Sequence, residues 1–144
     1  MKPARFAMAR PRDLAAALSM IAAADSATRI MAGGQSLGPM LNLRLIEPER
    51  VVDISTVPEL RQIERADGSL VIGACVTHAD IEDGRVPDVA NGKMARVASG
   101  IAYRAVRNRG TIGGSLAYAD PAADWVSAAP AFATVSPGSE IPRK

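Results

Sequence analysis

Two short glycine-centred segments, far apart in the chain, constrain this protein more than any other feature of its sequence. In each, a Gly-Gly pair is followed by a hydroxyl residue, either directly or after one other residue. Residues 32–37 are here called the first glycine segment, and residues 111–116 the second glycine segment. Glycine reaches positive φ and lets the backbone approach a ligand where a Cβ would interfere. Such turns can direct successive N–H groups into one anion-binding nest. Two segments of similar design indicate a diphosphate held from both sides, and hence a dinucleotide cofactor.

Each segment also has a purely structural interpretation. The first is equally consistent with a tight strand-to-helix turn that Ser36 caps, because Gly and Ser are common in such turns. The second is consistent with a glycine bulge in a strand. Neither matches the G-x-G-x-x-G spacing or a phosphate loop that ends in Gly-Lys-Ser/Thr. A classical nicotinamide-binding fold is therefore disfavoured.

Composition narrows the class of protein. A chain of 144 residues fits one domain or two small lobes that share a core. With 48% apolar and 22% charged residues, the composition is that of a globular protein. A net charge of +2 is too balanced to indicate nucleic acid, and 3% aromatic residues leave little for base stacking. We expect no nucleic-acid partner.

The single cysteine and the single histidine exclude several kinds of site. Cys75 alone can form neither an internal disulfide nor a cysteine-rich iron–sulfur site, and its strand-like neighbours predict a buried thiol. His78 alone excludes a histidine-rich metal site, and we predict it as a polar surface residue at a helix start. We expect no signal peptide and no membrane span, so a cytoplasmic location is the default prediction.

Hydrophobic periodicity and turn signals predict alternating strands and helices. Asp13 is a good N-cap for a helix over 14–24. An Asp-Gly turn predicts a hairpin over 63–72, and Thr77 with Asp80 resembles a capping arrangement. A change of composition near residue 55 predicts two lobes, 1–54 and 55–144. The other predicted elements are strands at 6–8, 28–32 and 51–54, a helical segment at 36–43 and a helical stretch at 88–102.

Several polar residues near the second glycine segment are candidates for contacts. Asp120 and Asp124 could be an acid–base pair, or a turn former and a helix cap. We favour a hydrogen bond to sugar or ribityl hydroxyls, because their loop directly follows the glycines. The arginines at 104, 107 and 109 form either a solvated face or a phosphate contact, and the sequence does not choose between them. Trp125 is most simply a core anchor.

These segments resemble the two FAD motifs of the medium, flavin-binding subunits of molybdenum hydroxylases, such as carbon monoxide dehydrogenase and xanthine dehydrogenase. The first match runs from the first glycine segment through Leu41-Asn42-Leu43-Arg44-Leu45. The second covers residues 106–116 and continues through 119–124. The order and separation of the motifs also fit, and the resemblance extends from residue 1 to about 129.

The resemblance implies an α+β (mixed α/β) fold, the two-lobed FAD-binding domain of the p-cresol methylhydroxylase type. It places the FAD diphosphate on the backbone of residues 32–36 and 111–115, with Ile101 beside the cofactor. Asp124 would hydrogen-bond the hydroxylated chain of a non-covalently bound FAD. It implies no catalytic side chain and no metal ligand. The implied cofactor-binding residues are Ala32, Gly33, Gly34, Gln35, Ser36, Leu37, Ile101, Gly110, Thr111, Ile112, Gly113, Gly114, Ser115 and Asp124.

In such enzymes a large molybdenum-cofactor subunit hydroxylates the substrate, and a small iron–sulfur subunit passes electrons to this flavin and on to an acceptor. Tyr103 and Tyr118 depart from the family, whose members often carry histidine there. From about residue 130 the sequence has no core pattern, so we expect the C-terminal part of the domain to be missing. The alternatives are a truncated remnant or assembly module that binds no flavin productively, and a stand-alone flavin reductase or oxidase, for which no convincing acid–base pair is present.

Overall fold

The computed structural model describes residues 2–132, and its first part is a three-stranded parallel sheet. The central strand pairs with both neighbours, and Val51 and Val52 on it are fully buried, as expected for a strand covered on both sides. The predicted strands and the mixed α/β class are confirmed. The elements are β1 (Ala7–Ala9), α1 (Leu14–Ala22), β2 (Thr28–Met31), α2 (Leu37–Asn42) and β3 (Arg50–Asp53), with sheet order β1-β3-β2.

The start of α1 shows how sequence and tertiary contacts fix one helix end together. The carboxylate of Asp13 accepts a hydrogen bond from the Ala16 N–H at 2.7 Å, which confirms the predicted cap. Glu59, in a 3-10 turn over Pro58–Arg61, accepts from the Leu14 N–H at 3.0 Å. Two of the otherwise unpaired amides of the first turn are thereby satisfied.

The second part begins with the predicted hairpin, formed by β4 (Ile63–Ala66) and β5 (Ser69–Ile72). Its two turn residues, Asp67 and Gly68, have φ of 50° and 76°. Positive φ at both central positions defines a type I′ turn, whose twist matches that of the paired strands. The Asp-Gly signal is confirmed.

Five helices follow; helices were predicted at the first two of these positions, one of them with different bounds. Thr77 and Asp80 form the expected capping box. The prediction of a helix over 88–102 is wrong for residues 88–92, which form a turn. The Asp88 carboxylate holds this turn by accepting hydrogen bonds from the backbone N–H groups of Ala90 and Gly92. Gly92, with φ of 76°, precedes the true helix start. The helices are α3 (His78–Glu82), α4 (Lys93–Gly100), α5 (Arg104–Arg107), α6 (Ile112–Tyr118) and α7 (Asp124–Phe132).

The second part carries its own hydrophobic core around Trp125, which is 1% exposed and confirms the predicted anchor. Residues of the hairpin and of α6 pack against this core, as does Phe132. The lobe boundary near residue 55 remains a prediction, and the predicted tail beyond Phe132 lies outside the described residues. Within residues 2–132, no helix is long and apolar enough to cross a membrane. The buried core members are Val76, Ile81, Val86, Met94, Ala98 and Trp125.

Candidate functional site

The first glycine segment leaves the end of β2 at the carboxyl edge of the parallel sheet, where ligands of such sheets commonly bind. Gly34 has φ of +71°, and the Gln35 side chain closes the loop by donating to the Gly33 carbonyl at 3.0 Å. Among the residues that the structure describes, none accepts a hydrogen bond from the backbone N–H groups of residues 33–37. These five donors, here called the amide cradle, are available to an anion.

Ser36 precedes α2, but its side chain makes no capping hydrogen bond. The predicted strand-to-helix turn is therefore present, but the prediction that the Ser36 side chain caps the helix is wrong. Ala32 follows β2 directly, and Leu37, the last residue of the amide cradle, is the first residue of α2.

The second glycine segment begins α6, so its interpretation as a bulge in a strand is also wrong. The Thr111 hydroxyl caps this helix by accepting from the Gly114 N–H at 3.1 Å. The N–H groups of Ile112 and Gly113 donate to Val76 and Ala74, and that of Ser115 donates to the Thr111 carbonyl. Most backbone donors of this segment are thus used within the protein.

The two segments lie directly against each other. A Cβ built on Gly33 would come 2.1 Å from the Arg109 carbonyl oxygen and 2.8 Å from Gly110 Cα. A Cβ built on Gly114 would lie 3.6 Å from the Ala32 Cβ. Real Cβ atoms do not approach backbone that closely, so this contact requires glycine at position 33. The segments that the sequence places far apart therefore form one continuous surface.

The three arginines before the second segment have different environments. Arg104 pairs with Glu82 and Asp83 at 2.7–2.8 Å, and this pairing holds the pKa of the Asp83 carboxyl at about 2. Arg107 pairs with Glu82 at 2.8 Å. Arg109 is exposed and its side chain makes no ion pair or hydrogen bond within residues 2–132. Of these three arginines, Arg109 is thus the one whose side chain stays unpaired among the described residues, and its carbonyl oxygen lies against Gly33.

Ile101 and Asp124 lie on the side of the second core. Ile101 is half-buried against that core, and its carbonyl oxygen accepts a hydrogen bond from Arg107 at 3.0 Å. Arg107 also holds the carbonyl of Ala102, which has a positive φ of 41°. Asp124 is exposed at the first position of α7, while Asp120 forms the expected turn by accepting from the Ala122 N–H. The contacts of Ile101 and Asp124 with a cofactor remain predictions.

His78 is the residue that the sequence analysis placed wrongly. It does begin α3, but it is 5% exposed rather than on the surface, and its Nδ1 accepts a hydrogen bond from Trp125 Nε1 at 3.0 Å. Burial lowers its pKa to about 4, an effect that Asp124 opposes and Arg107 reinforces. The apolar neighbours Cys75, Val76 and Ala79, all buried, were the available signal.

Cys75 is buried as predicted, with 1% exposure. Burial raises the pKa of its thiol, and its Sγ lies 3.4 Å from the Ile54 carbonyl oxygen. A protonated, buried thiol is a poor nucleophile, so Cys75 is structural.

Residues 4–135 match the family model described as the FAD binding domain in molybdopterin dehydrogenase, and the chain belongs to this family. It is 40% identical over 124 residues to the 6-hydroxypseudooxynicotine dehydrogenase complex subunit alpha of Paenarthrobacter nicotinovorans, covering 86% of this chain and 42% of that protein. It is 37% identical over 124 residues to the carbon monoxide dehydrogenase medium chain of Hydrogenophaga pseudoflava, covering 86% of this chain and 43% of that protein.

Among solved structures, carbon monoxide dehydrogenase from Hydrogenophaga pseudoflava superposes with a TM-score of 0.81 and 38% identity, over 87% of this chain and 44% of that one. The chain therefore spans less than half the length of the relatives that it matches. The family identifies FAD as the cofactor. The residues present fit FAD, because the amide cradle offers unpaired donors to a diphosphate and glycine at 33 lets the backbone of residues 109 and 110 pack directly beside it.

Proposed function

We propose that this chain holds the diphosphate of FAD in the medium subunit of a molybdenum-containing hydroxylase or dehydrogenase. The assembled enzyme would contain a large molybdenum-cofactor subunit and a small iron–sulfur subunit. FAD, when bound, would relay electrons from the iron–sulfur clusters to an acceptor. The protein would supply binding, orientation and electrostatics, while the cofactor carries the redox chemistry. A cytoplasmic location remains a prediction.

The observation that carries this proposal is the amide cradle, whose donors find no acceptor among the described residues yet lie against the second glycine segment. Backbone N–H groups at the carboxyl edge of a parallel sheet are fixed before the ligand arrives, so little ordering is required on binding. Arg109, whose carbonyl oxygen lies against Gly33, would add a positive charge near them.

In the second segment, the N–H of Thr111 donates to nothing within residues 2–132, and the Ser115 side chain makes no hydrogen bond there. These are the two groups of that segment that we assign to the diphosphate. Ile112, Gly113 and Gly114 would instead shape the wall. Ile101 beside the cofactor and Asp124 on its hydroxylated chain complete the proposed set.

A ligand series tests this proposal on the chain of 144 residues. Purified protein is titrated with FAD, ADP, FMN and riboflavin, and melting temperature and bound flavin after desalting are measured. Because the cradle is built for two linked phosphates, FAD and ADP should raise the melting temperature while FMN and riboflavin do not. At about 100 times the Kd, binding should add about 2.7 kcal/mol to the unfolding free energy.

Absence of any shift with excess FAD would reject the proposal and support the alternative, a remnant or assembly module that binds no flavin. Large exposed apolar residues, among them Leu43 and Leu45 at 53% and 68% exposure, would then be available for association. Equal binding of FMN and FAD would reject the diphosphate as the recognised group. Turnover of a donor by this chain alone would favour the stand-alone flavin enzyme.

A further inference from the structure

His78 and Trp125 form a buried polar pair for which the proposed function so far has no use. Trp125 Nε1 can only donate a hydrogen bond, so the Nδ1 of His78 that accepts it at 3.0 Å is unprotonated. With its pKa near 4, the ring is neutral at pH 7 and carries its proton on Nε2. The two ring planes are inclined by 29° with centroids 6.3 Å apart, so the hydrogen bond joins the rings edge to edge. The imidazole is thereby held in one orientation.

The opposite edge of this imidazole faces the backbone that precedes the second glycine segment. A Cβ built on Gly110 would lie 2.8 Å from His78 Cδ2 and 2.9 Å from His78 Nε2. The backbone N–H of His78 donates to the Gly110 carbonyl at 2.9 Å. Gly110 is therefore held against His78 by a backbone hydrogen bond and by the Cδ2–Nε2 edge of the ring.

Gly110 in turn touches the first glycine segment, because a Cβ on Gly33 would meet its Cα at 2.8 Å. An uninterrupted row of contacts therefore runs from Trp125 through His78 and Gly110 to Gly33. Its far end is the first residue of the amide cradle. Its near end is the residue after Asp124 on α7.

We propose that His78 is a positioning residue of the FAD site, whose ring, oriented by Trp125, sets the position of Gly110 and thereby the spacing of the two glycine segments. This role rests on the proposed function, since its consequence is measured as FAD affinity. The charged groups that face the ring are Asp124 from α7 and Arg107 from α5, and neither forms a hydrogen bond with it. The ring therefore acts through shape and one hydrogen bond.

Four variants test the role by FAD titration. His78→Ala should weaken FAD binding about ten-fold, and Trp125→Phe, which removes only the orienting donor, about five-fold. His78→Asn should stay close to the wild type, because its amide oxygen replaces Nδ1 as acceptor and its amide nitrogen takes the place of Cδ2. Ile81→Val, in the same core and 2% exposed, is the control: it should lower the melting temperature without changing the Kd.

A double-mutant cycle tests the contact itself. Gly110→Ala should weaken FAD binding in the wild type, where its Cβ meets the ring, and cost at least about three-fold less in the His78→Ala background. Equal costs in both backgrounds, or His78→Ala and Trp125→Phe proteins with the wild-type Kd, would overturn the positioning role while leaving the proposed function intact. A wild-type protein that binds no FAD would overturn both.

Discussion

The two glycine segments have similar sequences and use their glycines differently. In the first, Gly34 adopts a positive φ and Gly33 allows close packing, and the N–H groups of residues 33–37 find no acceptor among the described residues. In the second, Gly113 and Gly114 lie in the first turn of α6. A Cβ on Gly113 would come within 2.6 Å of Ala74 backbone atoms, and its N–H already donates to the Ala74 carbonyl. The first segment leaves its donors unpaired among the described residues, whereas the second uses most of its donors and its glycines in packing within the protein.

A Gly-Gly pair before a hydroxyl therefore does not by itself identify a phosphate-binding backbone. What distinguishes the two cases is whether other parts of the chain already accept the N–H hydrogen bonds. Under the proposed function, the first segment supplies most of the amide donors of the FAD site, and the second supplies mainly a wall. The predictions below test that division.

The largest effect is expected for Gly33→Ala, which forces a Cβ into the Arg109 and Gly110 backbone. Overpacking against atoms that cannot move aside should cost about 3 kcal/mol or more of unfolding free energy and abolish FAD binding. Urea denaturation and FAD titration measure both quantities.

Gly38→Ala is the matched control, because a Cβ there meets nothing within 4 Å. It lies in α2, where alanine is favoured over glycine by roughly 0.5–1 kcal/mol, so this variant should be more stable and still bind FAD. Loss of FAD binding in this control would contradict the role assigned to close packing at Gly33.

Lowering the pH should reduce the unfolding free energy through protonation of His78, which lies on the side of the second segment. Its pKa is about 4 in the folded protein and about 6.5 in the unfolded chain, so the unfolded state binds more protons between these values. Stability should be complete above pH 6.5 and fall by about 3 kcal/mol as the pH is lowered through 4. Urea unfolding at a series of pH values measures this loss.

His78→Asn, which cannot titrate, should flatten the curve between pH 4.5 and 6.5. The carboxyls of Asp53 and Asp80, whose pKa values are lowered by their hydrogen bonds, lose their contributions only at lower pH. An unchanged slope in the variant would show that another group titrates in this window.

A comparison of Gly113→Ala with Gly34→Ala should distinguish the roles of the two segments most clearly. The Cβ would lie 2.5 Å from the Ala74 Cβ, so unfolding free energy should fall by about 1–3 kcal/mol. Gly34→Ala meets only the flexible Met31 side chain at 3.1 Å, and its cost is the strain of a positive φ, about 1–2 kcal/mol.

In the protein that remains folded, the Kd for FAD should rise more in Gly34→Ala than in Gly113→Ala, because only the first change reorients cradle donors. Titration of both proteins well below their melting temperatures measures this. The reverse order would assign the diphosphate to the second segment.

The smallest effect is expected for Arg109→Gln. Removal of an exposed charge beside the cradle should weaken FAD binding about two- to five-fold at low ionic strength, and less at 1 M salt, where the screening length is about 3 Å. Arg104→Gln, whose guanidinium is engaged by Glu82 and Asp83, should leave the Kd unchanged. Equal effects of the two changes would indicate a general charge effect.

Much of the fold was predictable because its signals are local. The Asp13 cap, the Asp67-Gly68 turn and the buried strand β3 each follow from a few adjacent residues. The start of α4 was predicted too early, since the Asp88 side chain competes for the backbone donors of residues 90 and 92. The FAD motifs were recognised from their order and spacing, and the family match confirms that recognition.

The sequence by itself determined the family, the cofactor and the order of the secondary-structure elements as far as α4, because motifs, caps and turns are encoded by neighbouring residues. Only the tertiary structure decided which glycine segment keeps most of its donors unpaired, which of the arginines at 104, 107 and 109 stays unpaired among the described residues, and that His78 is buried against Trp125. Each of these depends on contacts between residues far apart in the chain. Whether a polar group is available to a ligand is settled by which distant partner has already taken its hydrogen bond.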